Sequence, residues 1–180
     1  MKTLTSRYIC AKNLSMDHVD RITAQWTRER PDLDVGPMAT IGRLSRLAQH
    51  LGKAHDRCFA EHGLNRASFD VLATLRRSGA PFALTPKSLL EQTMVTSGTM
   101  TNRLDRLEQA GMITRLPDPN DGRGFLIQLT DQGHAIIDAA ASDHVANQHR
   151  LTEVMNEEER TQLDALLKIW LAAFEDPSDR

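Results

Sequence analysis

The sequence predicts a mainly α-helical chain that carries one small β-hairpin, and three observations predict it. Apolar residues recur at helical spacing over most of the length. The period drops to about two only after Gly111, where Met112–Leu116 and Phe125–Leu129 flank a stretch dense in turn formers. Capping residues, prolines and glycines fall where helices begin and end. At 180 residues the chain can build one domain with a real core, or a small domain plus helices for dimerisation.

Residues 1–16 show no clear period and read as a flexible arm. From Asp17, an acidic cap, Val19, Ile22 and Trp26 share one helical stripe, and Pro31 ends it. Gly36-Pro37 starts a second helix with proline in the first turn, and Ile41, Leu44, Ala48 and Leu51 keep helical spacing to about Glu61. Asn65 caps a third helix, RASFDVLATLRR, which Ser78-Gly79-Ala80-Pro81 stops. Thr85 as cap and Pro86 at the first helical position start the short helix PKSLLEQT. After a turn at Thr93-Met94-Val95, another helix runs from about Thr96 to Ala110 and closes on Gly111. The hairpin follows, its connection Pro117–Gly124 carrying one arginine, Arg123. Thr130 then caps a long helix to about Met155. Asn156 caps the last one, whose first turn holds Glu157, Glu158 and Glu159 and whose apolar stripe is Leu163, Leu166, Leu167, Trp170, Leu171 and Phe174.

Charge is unevenly spread. Lys+Arg number 10 against 7 Asp+Glu in residues 1–64, 8 against 6 in residues 65–124, and 4 against 11 in residues 125–180. One part of the chain therefore tolerates phosphate and another repels it, although solvated acidic helices are common for other reasons. No run approaches the roughly 18 apolar residues of a membrane span, and the N-terminus lacks a signal-peptide core, so a cytoplasmic location and no membrane partner are expected. Cys10 and Cys58 stand far apart and form no metal pattern, which suits free thiols in a reducing compartment. His50/His55 and His144/His149 are spaced by five, which does not stack two ligands on one helix face. Ser97-Gly98 lacks a nucleophile-elbow pattern and no glycine-rich phosphate loop occurs, so neither an enzyme, a metal nor a cofactor is expected.

Two short helices joined by a tight turn and followed at once by a hairpin spell a winged helix-turn-helix. A helix of about 10–12 Å diameter fits the major groove of B-DNA, while a protruding hairpin can place a cation in the adjacent minor groove. In the helix from Thr96, Met100, Leu104 and Leu107 cluster in one arc and face the core. Gly98, Thr99, Asn102, Arg106 and Gln109 project to the opposite side. Ser97, Thr99, Thr101, Asn102 and Arg106 are the candidate DNA-contacting residues of this helix, by their small polar, amide and guanidinium chemistry.

The stretch TNRLDRLEQAGMITRLPDPNDGRGFLIQLTDQG, residues 101–133, resembles the MarR family of transcriptional regulators. Arg106-Leu107-Glu108, Gly111-Met112-Ile113, Asp121-Gly122-Arg123 and Leu129-Thr130 through Gly133 match its wing signature in order and spacing, and the likeness extends over residues 37–175. The resemblance implies a homodimer built from the first and last helices, bound as a repressor to a pseudo-palindromic operator in double-stranded DNA and released by a small-molecule effector. By position, Arg123 is its wing arginine and Asp121 the acid that orients it. A narrower likeness holds to the urate-responsive branch, which adds an N-terminal helix with a tryptophan. Its ligand residues correspond to Trp26, Asp70, Arg103 and Arg115. Asp70 interrupts the apolar run FDVLATL and so wants a partner, and Arg103 projects close to the core arc. An acid, two arginines and an indole suit a flat anionic ring. A structural Asp70–Arg103 salt bridge with Trp26 as a packing aromatic explains the same residues. The domain expectation is an arm over 1–16, N-terminal dimerisation and ligand-site helices over 17–62, the winged helix-turn-helix over 63–130 and C-terminal dimerisation helices over 131–180. A redox- or metal-responsive regulator of the same fold, and a protein-interaction module without DNA binding, are the rival functions.

Overall fold

The computed structural model describes residues 15–93, 100–119 and 121–175, with the Arg123 side chain outside the description. In chain order the described elements are α1 (His18–Glu29), α2 (Gly36–Ala60), α3 (Arg66–Arg77), β1 (Ala83–Leu84), α4 (Pro86–Gln92), α5 (Met100–Gln109), β2 (Ile113–Asp118), β3 (Asp121–Leu129), α6 (Asp131–Thr152) and α7 (Glu157–Ala172). The chain is mainly helical with a small antiparallel sheet, as the periodicity predicts. It divides into two compact units, Met1–Gly52 and Lys53–Arg180.

In the first unit, Asp17 caps α1 through a reciprocal box. Its carboxylate accepts from the Asp20 N–H at 2.8 Å, and Asp20 accepts from the Asp17 N–H at 2.9 Å. Arg43 on α2 donates to Asp17 at 2.8 Å and also to Asp20. That guanidinium holds the Asp17 carboxyl down at about 2. Val19 is buried, and a Cβ at Gly42 would come within 3.4 Å of it, so the two helices pack closely at that glycine. Ile22 and Trp26, placed on the same stripe by the sequence, stay 39% and 43% exposed.

The second unit holds the main core. Phe59, Leu64, Val71, Leu72, Leu75, Leu89, Met100, Leu104, Leu107, Ile113, Ile127, Leu129, Ile137 and Ala140 form one buried cluster. Asn65, Thr85, Thr130 and Asn156 cap α3, α4, α6 and α7, each accepting from a backbone N–H three residues on. The sheet has the order β1-β3-β2, all antiparallel. The two-residue β1 pairs Ala83 with Gln128 and Leu84 with Ile127, a strand too short to leave a period in the sequence. β3 begins at Asp121, four residues earlier than the hydrophobic alternation suggests, because pairing continues past an irregularity at Pro117/Asp118 to the Asp118–Asp121 pair. The long helix α6 ends at Thr152 rather than near Met155. The expected helix start at Thr96, ahead of α5, and Met94-Val95 of the turn before it lie outside the described residues.

Candidate nucleic-acid interface and effector residues

The helix α5 is divided as its spacing requires. Met100, Leu104 and Leu107 are 7%, 3% and 3% exposed and belong to the core cluster, whereas Thr101, Asn102, Arg106 and Gln109 are exposed. Burial of three large apolar side chains fixes the rotation of the helix, and that rotation turns an amide and a guanidinium outward. Ser97 and Thr99 lie outside the described residues. The preceding α4 ends on Thr93, and Arg77 from the end of α3 donates to the Gln92 carbonyl, satisfying a helix-end acceptor with a cation.

The C-terminus of α5 is fastened to the hairpin by backbone chemistry. Gly111, at φ +71°, lets the Met112 N–H turn back to the Leu107 carbonyl at 3.0 Å. Thr130 then serves both sides of the joint. Its hydroxyl donates to the Gly111 carbonyl at 2.6 Å and accepts from the Gly133 N–H at 3.0 Å, while its own N–H donates to Met112 O at 3.2 Å. At Gly133 a Cβ would lie 1.9 Å from the Met112 carbonyl oxygen, so only glycine permits this approach. The joint between α5, β2 and α6 is thus made by Gly111, Met112, Thr130 and Gly133.

At the outer end of the hairpin, Asp121 is exposed and already engaged with neighbours, and Arg123 lies in β3 within the irregular stretch between Asp121 and Phe125. A Cβ at Gly124 would come within 3.0 Å of Asp121 Oδ2, so the glycine leaves room for that carboxylate.

Of the four expected effector residues, Trp26 sits on α1 in the first unit, and Asp70 (α3), Arg103 (α5) and Arg115 (β2) belong to the second. Asp70 and Arg103 are each half-buried and engaged. Arg115 is held by two carboxylates and a ring: Nη2 donates to Asp105 Oδ1 at 2.6 Å, Nη1 donates to Glu108 Oε2, and the guanidinium lies 5.7 Å from the centre of the Phe125 ring. The two carboxylates raise its pKa further. The sequence marks Glu108 only within the Arg106-Leu107-Glu108 match and does not mark Asp105. Their three-residue spacing on α5 opposite an arginine just past the helix stop was the available signal.

Cys10 lies outside the described residues, and Cys58 is a buried free thiol whose pKa is pushed up, mainly by burial. Less thiolate means less reactivity, which weighs against thiol sensing at Cys58. Among the described residues no group of three or more His, Cys, Asp or Glu is arranged to hold a metal. His55 faces His144 instead, with ring centres 4.9 Å apart, beside the stacked Phe59–Phe69 pair at 4.1 Å. Among the described residues no helix is long and apolar enough to cross a membrane.

A short helix, a second helix with its polar arc turned out, and a hairpin locked to that helix's end define a winged helix-turn-helix module. The chain belongs to the MarR family of DNA-binding transcription regulators, whose family model matches residues 64–125. It is 47% identical over 149 residues to the HTH-type transcriptional regulator PecS of Dickeya dadantii, an alignment that covers 83% of this chain and 90% of that protein. It is 34% identical to the multiple antibiotic resistance protein MarR of Escherichia coli, covering 69% of this chain and 88% of the relative. A cysteine-to-serine mutant of E. coli MarR, solved in complex with operator DNA, superposes with a TM-score of 0.64 at 28% identity, covering 81% of this chain and 97% of that one. These relatives are transcription regulators and not enzymes, and so is this chain.

Proposed function

We infer that the protein is a homodimeric, cytoplasmic repressor that binds a pseudo-palindromic operator and is released by a small planar anion of the aromatic-acid or purine class. The observation that carries the DNA-binding part is the division of α5 into a buried arc of Met100, Leu104 and Leu107 and an exposed arc of Thr101, Asn102 and Arg106. In this reading Ser97, Thr99, Thr101, Asn102 and Arg106 face the major groove, and the wing brings Arg123, oriented by Asp121, to the minor groove. Dimerisation is supported by the C-terminal segment, where Leu166, Ile169 and Leu171 on α7 and Phe174 just beyond its end are 66%, 72%, 53% and 74% exposed in the single chain. So large an apolar surface on one amphipathic helix calls for a second chain to cover it.

The effector residues proposed are Trp26, Asp70, Arg103 and Arg115. Two guanidinium groups supply paired donors for an oxyanion, the indole a face for a planar ring, and Asp70 the like charge that turns binding into displacement. Arg103 is part of α5, so whatever shifts its partners acts on the recognition helix itself. The test is a gel shift on the DNA upstream of the protein's own gene, titrated with purines and aromatic acids. Retarded DNA that a planar anion releases is the expected result. A shift that none of these compounds changes at millimolar concentration removes the effector part and leaves the DNA-binding part standing.

A further inference from the structure

Both arms of the Arg115 guanidinium are already engaged by carboxylates, and both carboxylates come from α5. Nη2 donates to Asp105 at 2.6 Å and Nη1 to Glu108. The two acids are not equivalent. Glu108 also accepts the Arg115 backbone N–H, at 3.2 Å, so it holds the strand as well as the side chain. Asp105 makes only the side-chain contact and is the more exposed of the two, 48% against 36%. A planar oxyanion is recognised by arginine through two adjacent N–H donors. The arm engaged by Glu108 is tied to the β2 backbone, so the arm an incoming anion can take is the one Asp105 holds.

We propose that Asp105 is the exchangeable counter-ion of the effector site: an anionic effector displaces it from Arg115, and α5 thereby loses one of the two ionic ties that Arg115 makes to it. This rests on Arg115 being an effector residue. The consequences have opposite signs, which separates them from plain loss of structure. Removing the Asp105 charge takes away both the competitor for Nη2 and the repulsion an anion meets there, so the effector binds more tightly. The same change removes the tie whose breakage transmits binding to α5, so the effector moves operator affinity less. Because coupling between two ligands is reciprocal, these effects must appear in both the effector and the DNA titrations.

The experiment uses the full chain with urate as probe. Binding is measured by isothermal titration calorimetry and operator affinity by gel shift with and without urate, for wild type, Asp105→Asn, Asp105→Glu and Arg115→Ala. Half-exposed ion pairs are worth up to about 1 kcal/mol, so Asp105→Asn is expected to bind urate about 3–5-fold more tightly and to show a smaller urate-induced loss of operator affinity. Asp105→Glu, which keeps the charge, is expected to behave as wild type, and Arg115→Ala to bind urate weakly. If wild type does not bind urate, the proposed exchange is overturned; if Arg115→Ala binds it as wild type does, Arg115 is no effector residue and the proposal falls with that reading. If Arg115→Ala loses urate while Asp105→Asn matches wild type, the effector reading survives and the exchange alone is overturned. Tightening in Asp105→Glu as well shows a steric rather than an ionic effect and also overturns it. Should circular dichroism show Asp105→Asn to be unfolded, Asp105→Ser carries the same expectations.

Discussion

Single residues in this chain act chiefly by what they allow their neighbours to do. Gly133 is the clearest case, since any side chain there would collide with backbone, the Met112 carbonyl at 1.9 Å, and backbone cannot rotate away as a flexible side chain can. Gly133→Ala is therefore expected to lower stability by at least the about 1–3 kcal/mol typical of overpacking, read from urea denaturation. A midpoint equal to wild type would show that α6 can slide away from the wing at no cost. His144 is the second case. Burial, and to a lesser extent the charge of His55, holds its pKa below the ordinary 6.5. The folded state resists a proton that the unfolded chain accepts, so stability declines as pH falls from about 6.5 through the folded-state pKa of His144. Melting temperatures measured between about pH 7.5 and 5 should fall more steeply for wild type than for His144→Gln. Parallel slopes would place the acid-sensitive group elsewhere.

At the scale of elements, the proposal is that α5 and the hairpin divide the labour of DNA binding, and the division can be measured. Arg123 in the wing is expected to contact the duplex regardless of sequence. Arg123→Ala should then weaken operator and non-specific DNA alike and lower the slope of log affinity against log salt by about one unit. Asn102 and Arg106 lie on the exposed arc of α5. Asn102→Ala and Arg106→Ala should cost operator affinity by about 1–3 kcal/mol per lost base contact while leaving non-specific binding nearly intact. Uniform losses across all three variants would mean that the helix reads phosphates and not bases. The elements themselves were largely legible. Asp17, Asn65, Thr85 and Asn156 cap the helices that their chemistry marks, because an N-cap is a local hydrogen bond between residues three apart. β1 and the early start of β3 were not legible, because both depend on pairing with a partner strand and not on any local period.

For the whole molecule, the expectation with most weight is the dimer. No residue of α7 is buried in the single chain, and Trp170 and Leu171, which the sequence places on its apolar stripe, are 38% and 53% exposed. If a second chain covers them, Trp170→Ala with Leu171→Ala should shift sedimentation at micromolar protein toward monomer and reduce operator affinity in step, since two linked half-sites bind together. An unchanged sedimentation coefficient would assign that stripe another partner.

The sequence by itself determined the order of helices, their caps, the hairpin after Gly111 and the buried arc of α5, all of which follow from periodicity and from contacts a few residues long. It also held the 101–133 signature on which the family resemblance stands. Only the tertiary structure showed that Arg115 is gripped by Asp105 and Glu108, that His55 meets His144, and that Thr130 and Gly133 join α5, β2 and α6. Each of these joins residues from different elements. Charge and periodicity mark the side chains that need partners, but which partner each one meets is decided by how the separate elements pack.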